Sequence, residues 1–200
     1  EIRSERLVPF PSVHPADSNS VECIRQIRAA GFRGVKLHPF YQDFFLDEHR
    51  MLRLYEEICR QGLILVVHTG YDIAFPRIRR ADPQKVRRVT EMFPDLRFVA
   101  THLGAWQQWD EAREHLLGRK IYMEISFTMD DLPPERAREM ILSHPSDHVL
   151  FGTDSPWTDQ AETLDWLRLM HLPPEASRSI LAENAARLLG MDRASRSMPG

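Results

Sequence analysis

Residues 98–104 read "FVATHLG", an apolar run of strand type that ends in a histidine, with a glycine two residues further on. The same shape occurs upstream as "LVVHTG" (65–70), and downstream an apolar run closes on an aspartate in "LFGTDSPW" (150–157). Runs that are continuously apolar, rather than alternating, suit parallel strands covered on both faces. By this criterion strands are expected over 6–13, 34–38, 63–69, 97–103, 121–127 and 149–154.

Between the runs lie amphipathic helical patterns. One carries Val21, Ile24 and Ile27 on a single face, and the next carries Met51, Leu54, Tyr55 and Ile58. A third opens "DPQKV", with Asp82 as N-cap and Pro83 at the first helical position, where its missing N–H costs nothing. Others are expected over 107–117, 134–143, 159–171 and 174–189. Six strand–helix units in succession predict an α/β fold with a parallel sheet, in one domain spanning 1–200. Connections entering strands are short ("GFR", "QG", "PDL"), and those leaving them are long and rich ("GYDIAFPRIRRA", "TMDDLPP"). That asymmetry favours a (β/α)8 barrel, whose leaving loops build the site at the C-terminal face. No Gly-x-Gly-x-x-Gly follows any strand, which counts against a doubly wound dinucleotide fold.

Composition excludes several classes. A formal charge of -3 offers no basic footprint for nucleic acid or an anionic membrane. No apolar run approaches the roughly 20 residues of a membrane span, and no signal peptide is visible. Cys23 and Cys59 fall in helical patterns, not in a spaced framework, which fits buried thiols and a cytoplasmic setting.

A barrel brings distant strand tips together, so the residues ending the runs are weighed as one set: His14, Lys36, His38, His68, His102 and Asp154. Two imidazoles and a carboxylate suit zinc, and also iron or manganese. A metal there would make hydroxide available near neutral pH, and an aspartate could carry the proton. A lone histidine after an apolar run is more often a hydrogen-bonded structural residue, and His14 and His38 are read that way. His68 and His102 share their context and stand out as ligands. Asp154, taken alone, could equally cap a turn. His49, His115, His144, His148 and His171 fall in helices or on the opposite rim. In the leaving loops, Tyr71, Trp106 and Trp157 could wall a substrate pocket, and Arg79, with Arg77 and Arg80, could grip a carboxylate. Loop packing and a solvated charged loop are the plainer readings of the same residues.

The ordered set "GFRGVKLHPFYQDF", "LVVHTG", "FPDLRFVATHLGAW", "FGTDSPW" and "ILAENAARLLGM" resembles the amidohydrolase-related metal-dependent hydrolases of the amidohydrolase superfamily, over about residues 6 to 190. The resemblance implies a distorted (β/α)8 barrel whose third to eighth strands are the ones visible here. It implies that His68 is the fifth-strand metal ligand, and that His102 is the sixth-strand histidine, ligand to a second metal or catalytic group. It makes Asp154 the eighth-strand aspartate, which binds metal and shuttles the proton. Lys36 ends the strand where two-metal relatives place a carbamylated lysine, and His38 supports the rim. The first-strand His-x-His pair of the family has no counterpart here; "SVHP" does not replace it. The expectation is that two N-terminal units precede the residues given.

The function expected is a metal-dependent hydrolase acting on an amide, ester or lactone carbonyl of a small molecule. A non-oxidative decarboxylase of an aromatic or unsaturated acid is the alternative within the lineage. A non-catalytic incomplete barrel is the alternative outside it, its open strand edge inviting a second copy of the chain.

Overall fold

The computed structural model describes residues 7–191. Five parallel strands form one sheet in the order β1 (Gly34–Leu37), β2 (Ile64–Val67), β3 (Arg97–Ala100), β4 (Tyr122–Glu124) and β5 (Val149–Leu150). Each strand neighbours the next in sequence, with no reversal of order. That is a segment of a barrel wall, because a doubly wound sheet would reverse at a switch point. Gly34 pairs with Ile64 and Ile64 with Arg97, so residues in register share a face across the wall.

The two faces have different partners. Val35, Leu37, Leu65, Val67, Phe98, Ala100 and Met123 join the main core with helix residues such as Ile24, Leu54, Ile58, Val86 and Val89. Those residues belong to α1 (Ser20–Ala29), α2 (His49–Arg60) and α3 (Pro83–Met92). On the other face, Ile64, Val99 and Leu150 form a second cluster with Leu188, and Phe10, Val66, Tyr122 and Leu189 pack against it. Strand alternation puts Lys36, in register with Val66, and Glu124, in register with Leu150, on this same second face.

The remaining helices are α4 (Trp109–His115), α5 (Pro134–Leu142), α6 (Gln160–Leu169), α7 (Pro174–Arg178) and α8 (Asn184–Leu188). Asp82 caps α3 as the sequence requires, accepting from the Lys85 N–H, with Pro83 in the first turn. A π-helical turn, Ser179–Glu183, joins α7 to α8, and the Ile180 carbonyl there accepts the Phe151 N–H just past β5. Among the described residues, no helix is long and apolar enough to cross a membrane.

One expected strand is corrected. Of residues 6–13, residue 6 lies outside the described chain, and 7–13 form no strand. Pro9 and Pro11 have no N–H to donate to a ladder. The segment makes one strand-like bond, from the Lys36 N–H to the Pro11 carbonyl.

Candidate active site

The C-terminal ends of the strands carry a run of left-handed backbone. His102 (φ 59), Leu103 (φ 52), Phe127 (φ 53) and Asp154 (φ 55) all lie just beyond a strand. Such conformations cost about 1–3 kcal/mol each and persist where the surroundings over-determine them. The surroundings are visible at the two histidine strands. The Thr69 hydroxyl donates to the Thr101 carbonyl (2.8 Å), and the Thr69 N–H donates to the Thr101 hydroxyl (3.1 Å), tying the tips of β2 and β3 together. Gly70 (φ 88) lies against the backbone of Trp106, where an added Cβ would stand 2.2 Å from the Trp106 nitrogen. This close approach is why "HTG" must end in glycine.

His68 and His102 are buried at 8% and 2% exposure, and their rings meet edge to face. The partners of each ring nitrogen can be followed in turn. His68 Nε2 is 2.8 Å from the Tyr71 carbonyl and 3.6 Å from an Asp72 carboxylate oxygen. Both partners are acceptors, so this nitrogen carries the proton and Nδ1 is bare. His102 Nδ1 is 3.1 Å from the Ser126 carbonyl, so it too carries a proton and Nε2 is bare. The two bare nitrogens, His68 Nδ1 and His102 Nε2, then face each other at 3.1 Å. A shared proton would satisfy them, but burial above all pushes both imidazoles down to about 3. The charge of His102 adds to the effect on His68, and that of Lys36 adds to the effect on both. Near neutral pH the pair presents two unmatched lone pairs.

His38 stacks on His68 at 4.2 Å between centroids, and its Nε2 donates to Asp72 (3.3 Å) while Nδ1 accepts from the Tyr41 N–H (3.5 Å). His38, His68 and Asp72 each place one candidate ligand atom within 4.8 Å of the others. The two imidazole nitrogens on that side carry protons held by Tyr71 and Asp72. That group therefore orients the His68 ring, as carboxylates and carbonyls behind a ligating histidine do.

Lys36, His38, His68, Asp72, His102 and Asp154 line one cavity of about 150 Å³, together with Tyr41, Ile73, Ala74, Trp106, Phe127 and Trp157. Lys36 makes no ion pair within 4 Å among the described residues; burial pulls it below the usual lysine range, opposed by the charges of Glu124 and Asp154. The Asp154 carboxyl is raised by burial first and then by Glu124, against the pull of Lys36.

Of the residues singled out in the sequence, the fold gathers Lys36, His68, His102, Asp154, Trp106 and Trp157 around this cavity. It does not bring Arg79 or Tyr71 to the lining. The Arg79 guanidinium is held by both carboxylate oxygens of Glu111, one at 2.7 Å, and by Asp82 at 3.4 Å. Tyr71 contributes its carbonyl to His68 and its ring to Arg77 at 5.2 Å. His14 is exposed, its Nδ1 accepting from the Ala16 N–H. Three contributors escape the sequence reading: Asp72, four residues past His68, and the pair Glu124 and Ser126 at the end of β4. A lone acid inside the apolar run "IYMEISF" is the available signal.

The amidohydrolase family profile (Amidohydro_2) matches residues 2–191. The chain belongs to that family. Among solved structures, an uncharacterised TIM-barrel protein from Bordetella bronchiseptica is similar, with TM-score 0.72 and 26% identity over 92% of this chain and 66% of that one. The 5-carboxyvanillate decarboxylase of Sphingomonas paucimobilis is also similar, with TM-score 0.70 and 16% identity over 92% and 66%. A third is a putative 2-pyrone-4,6-dicarboxylic acid hydrolase from Pseudomonas putida, with TM-score 0.64 and 20% identity over 86% and 68%. No curated protein sequence matches. The amidohydrolase chain thus spans 66% of the length of the first two neighbours. Its fold is an incomplete (β/α)8 barrel, with five of the barrel's strands among the described residues.

Proposed function

We propose that this amidohydrolase is a metal-dependent hydrolase acting on a small amide, ester or lactone. The observation that carries the reading is the pair of bare imidazole nitrogens, His68 Nδ1 and His102 Nε2, facing each other at 3.1 Å in a cavity that Asp154 also lines. Two neutral imidazoles and an aspartate form a donor set that zinc accepts, and that iron or manganese would accept as well. His68, His102 and Asp154 would hold the ion, which when bound supplies an acidified water and polarises a carbonyl. The remaining roles fall to side chains already in place. Asp72 and Tyr71 hold the His68 ring in plane, and the Ser126 carbonyl holds that of His102. Asp154, whose carboxyl is raised by burial and Glu124, takes up a proton more readily than an unperturbed aspartate and can return it to a leaving group. Lys36 offsets the charge of Glu124 and Asp154. Trp106, Trp157 and Phe127 wall the space a substrate would enter.

A second reading, non-oxidative decarboxylation of an aromatic or unsaturated acid, draws support from the same aromatic wall. Arg79 lends it none, since Glu111 and Asp82 hold its guanidinium. Incubating zinc- and manganese-loaded protein with a panel of lactones, amides, esters and aromatic acids, with products read by mass, separates the two. Addition of water supports the hydrolase. Release of carbon dioxide with no water addition replaces it by the decarboxylase, and no turnover of any class by the loaded protein would overturn both.

A further inference from the structure

The two-acceptor environment of His102 Nδ1 depends on a hydroxyl proton that could point either way. Ser126 Oγ lies 3.2 Å from Nδ1, next to the Ser126 carbonyl at 3.1 Å. If that hydroxyl donated to Nδ1, the imidazole proton would move to Nε2 and the nitrogen facing the cavity would cease to be a lone pair. The hydroxyl is committed elsewhere. It donates to Glu124 Oε1 at 2.8 Å, and a carboxylate can only accept.

We propose that Glu124, acting through the Ser126 hydroxyl, fixes His102 in the tautomer that carries its proton on Nδ1 and leaves Nε2 bare toward the cavity. Glu124 is a positioning residue in this scheme. Its carboxylate is 12% exposed and accepts three hydrogen bonds: from the His102 N–H (2.9 Å), the Ser126 N–H (2.8 Å) and the Ser126 hydroxyl. The Glu124 carbonyl also accepts the Leu103 N–H (2.6 Å). One residue thus pins the left-handed turn that carries His102 and the proton that decides its tautomer. The space for it is made by Gly152, where an added Cβ would stand 2.0 Å from Glu124 Oε2. The glycine of "FGTDSPW" is therefore a wall of the Glu124 cradle, two residues before Asp154.

The tautomer assignment stands on hydrogen-bond geometry alone; its consequence for metal affinity rests on the proposed metal-dependent function. The experiment reads the two separately. In metal-free protein, long-range ¹H–¹⁵N correlation of the imidazoles reports which His102 nitrogen carries the proton. Wild type and Ser126→Ala are expected to show Nδ1–H, since the Ser126 carbonyl remains in both. Glu124→Ala frees the hydroxyl to donate to Nδ1 and is expected to shift His102 toward Nε2–H. The double variant Glu124→Ala/Ser126→Ala, with no hydroxyl to donate, should regain Nδ1–H. Gly152→Ala, which displaces the carboxylate without removing it, should move in the same direction as Glu124→Ala and serves if that variant does not fold.

Zinc titration of the same proteins should show affinity falling about 10–100-fold in Glu124→Ala, the usual effect of losing such an outer partner, with partial recovery in the double variant. Wild type in the Nε2–H form would overturn the proposal. So would a Glu124→Ala protein that keeps Nδ1–H, or a double variant no better than the single one, which is what a purely structural role predicts. If the tautomers behave as stated and wild type binds no zinc, the relay stands and the metal reading fails.

Discussion

The two sides of the cavity are built differently. On one side His68 and His102 are buried, each with its outer nitrogen committed to a backbone carbonyl and its inner nitrogen left bare. On the other side Asp154 is exposed as a residue while its carboxyl lines the cavity, and that carboxylate makes no hydrogen bond to any described residue. Its neighbour Trp157 is 70% exposed. The histidine side is rigid because packing and hydrogen bonds decide each nitrogen. The aspartate side is set by backbone alone, through the left-handed φ of Asp154 and the Trp157 N–H bond to its carbonyl. Left-handed backbone occurs on both sides; burial and hydrogen bonds to the ring nitrogens are what set the histidine side apart.

The comparison is broken most severely by removing a histidine. His68→Ala and His102→Ala are each expected to weaken zinc binding by more than about 100-fold, beyond the range seen for outer partners. Asp154→Ala should cost less, because the bare nitrogen pair remains. Isothermal titration of the three variants measures the order directly, and an Asp154 effect exceeding both histidine effects would reverse the asymmetry.

Acid tests the histidine side without mutation. His68 and His102 are held at about 3 and His144, bonded to the Ile121 carbonyl, at about 4, chiefly by burial. All are depressed below the unfolded value near 6.5, so the unfolded chain binds more protons as pH falls from about 6.5. Stability of the metal-free protein is present above that pH and is lost on the way down toward 3 to 4. Each fully titrating group contributes about 1.4 kcal/mol per pH unit within its window. Urea unfolding at several pH values reads the slope, and a flat profile between about pH 6.5 and 4.5 would show that the imidazoles are not buried neutral.

Gly70→Ala sharpens the comparison from the backbone. Adding a Cβ at positive φ against Trp106 is expected to cost about 2–4 kcal/mol in stability, combining strain with overpacking. A midpoint unchanged within error would mean that the two histidine loops do not press together. Smallest of all is Arg79→Gln. Its partners Glu111 and Asp82 make it a structural ion pair on the flank of the site, so stability should fall by about 1 kcal/mol or less and zinc affinity should not move. A large loss of zinc affinity would restore Arg79 to the cavity.

Much of this is legible in the sequence. Continuous apolar runs ending in Lys36, His68, His102 and Asp154 locate four cavity residues, because in a barrel the end of a strand is a place in space as well as in sequence. The N-cap of α3 is readable because Asp-Pro has few other uses. The expected strand at 6–13 fails on Pro9 and Pro11, whose lack of donors outweighs the apolar pattern. Residues 174–189 read as one helix, and the π turn at Ser179–Glu183 carries no sequence mark; it shows only where the Ile180 carbonyl meets Phe151. Asp72 is hidden in a long loop, whose path no periodicity fixes. Glu124 requires the register with Leu150 to reveal which face it occupies.

The bare nitrogen pair is the centre of the proposed metal site, and the most direct test is the number of zinc ions bound per chain, by mass spectrometry under native conditions, in wild type, His68→Ala and Asp154→Ala after metal loading. A bound ion is predicted in wild type, none in His68→Ala and a reduced share in Asp154→Ala. Wild-type protein that takes up no ion, or a His68→Ala protein that binds as well as wild type, would contradict the assignment.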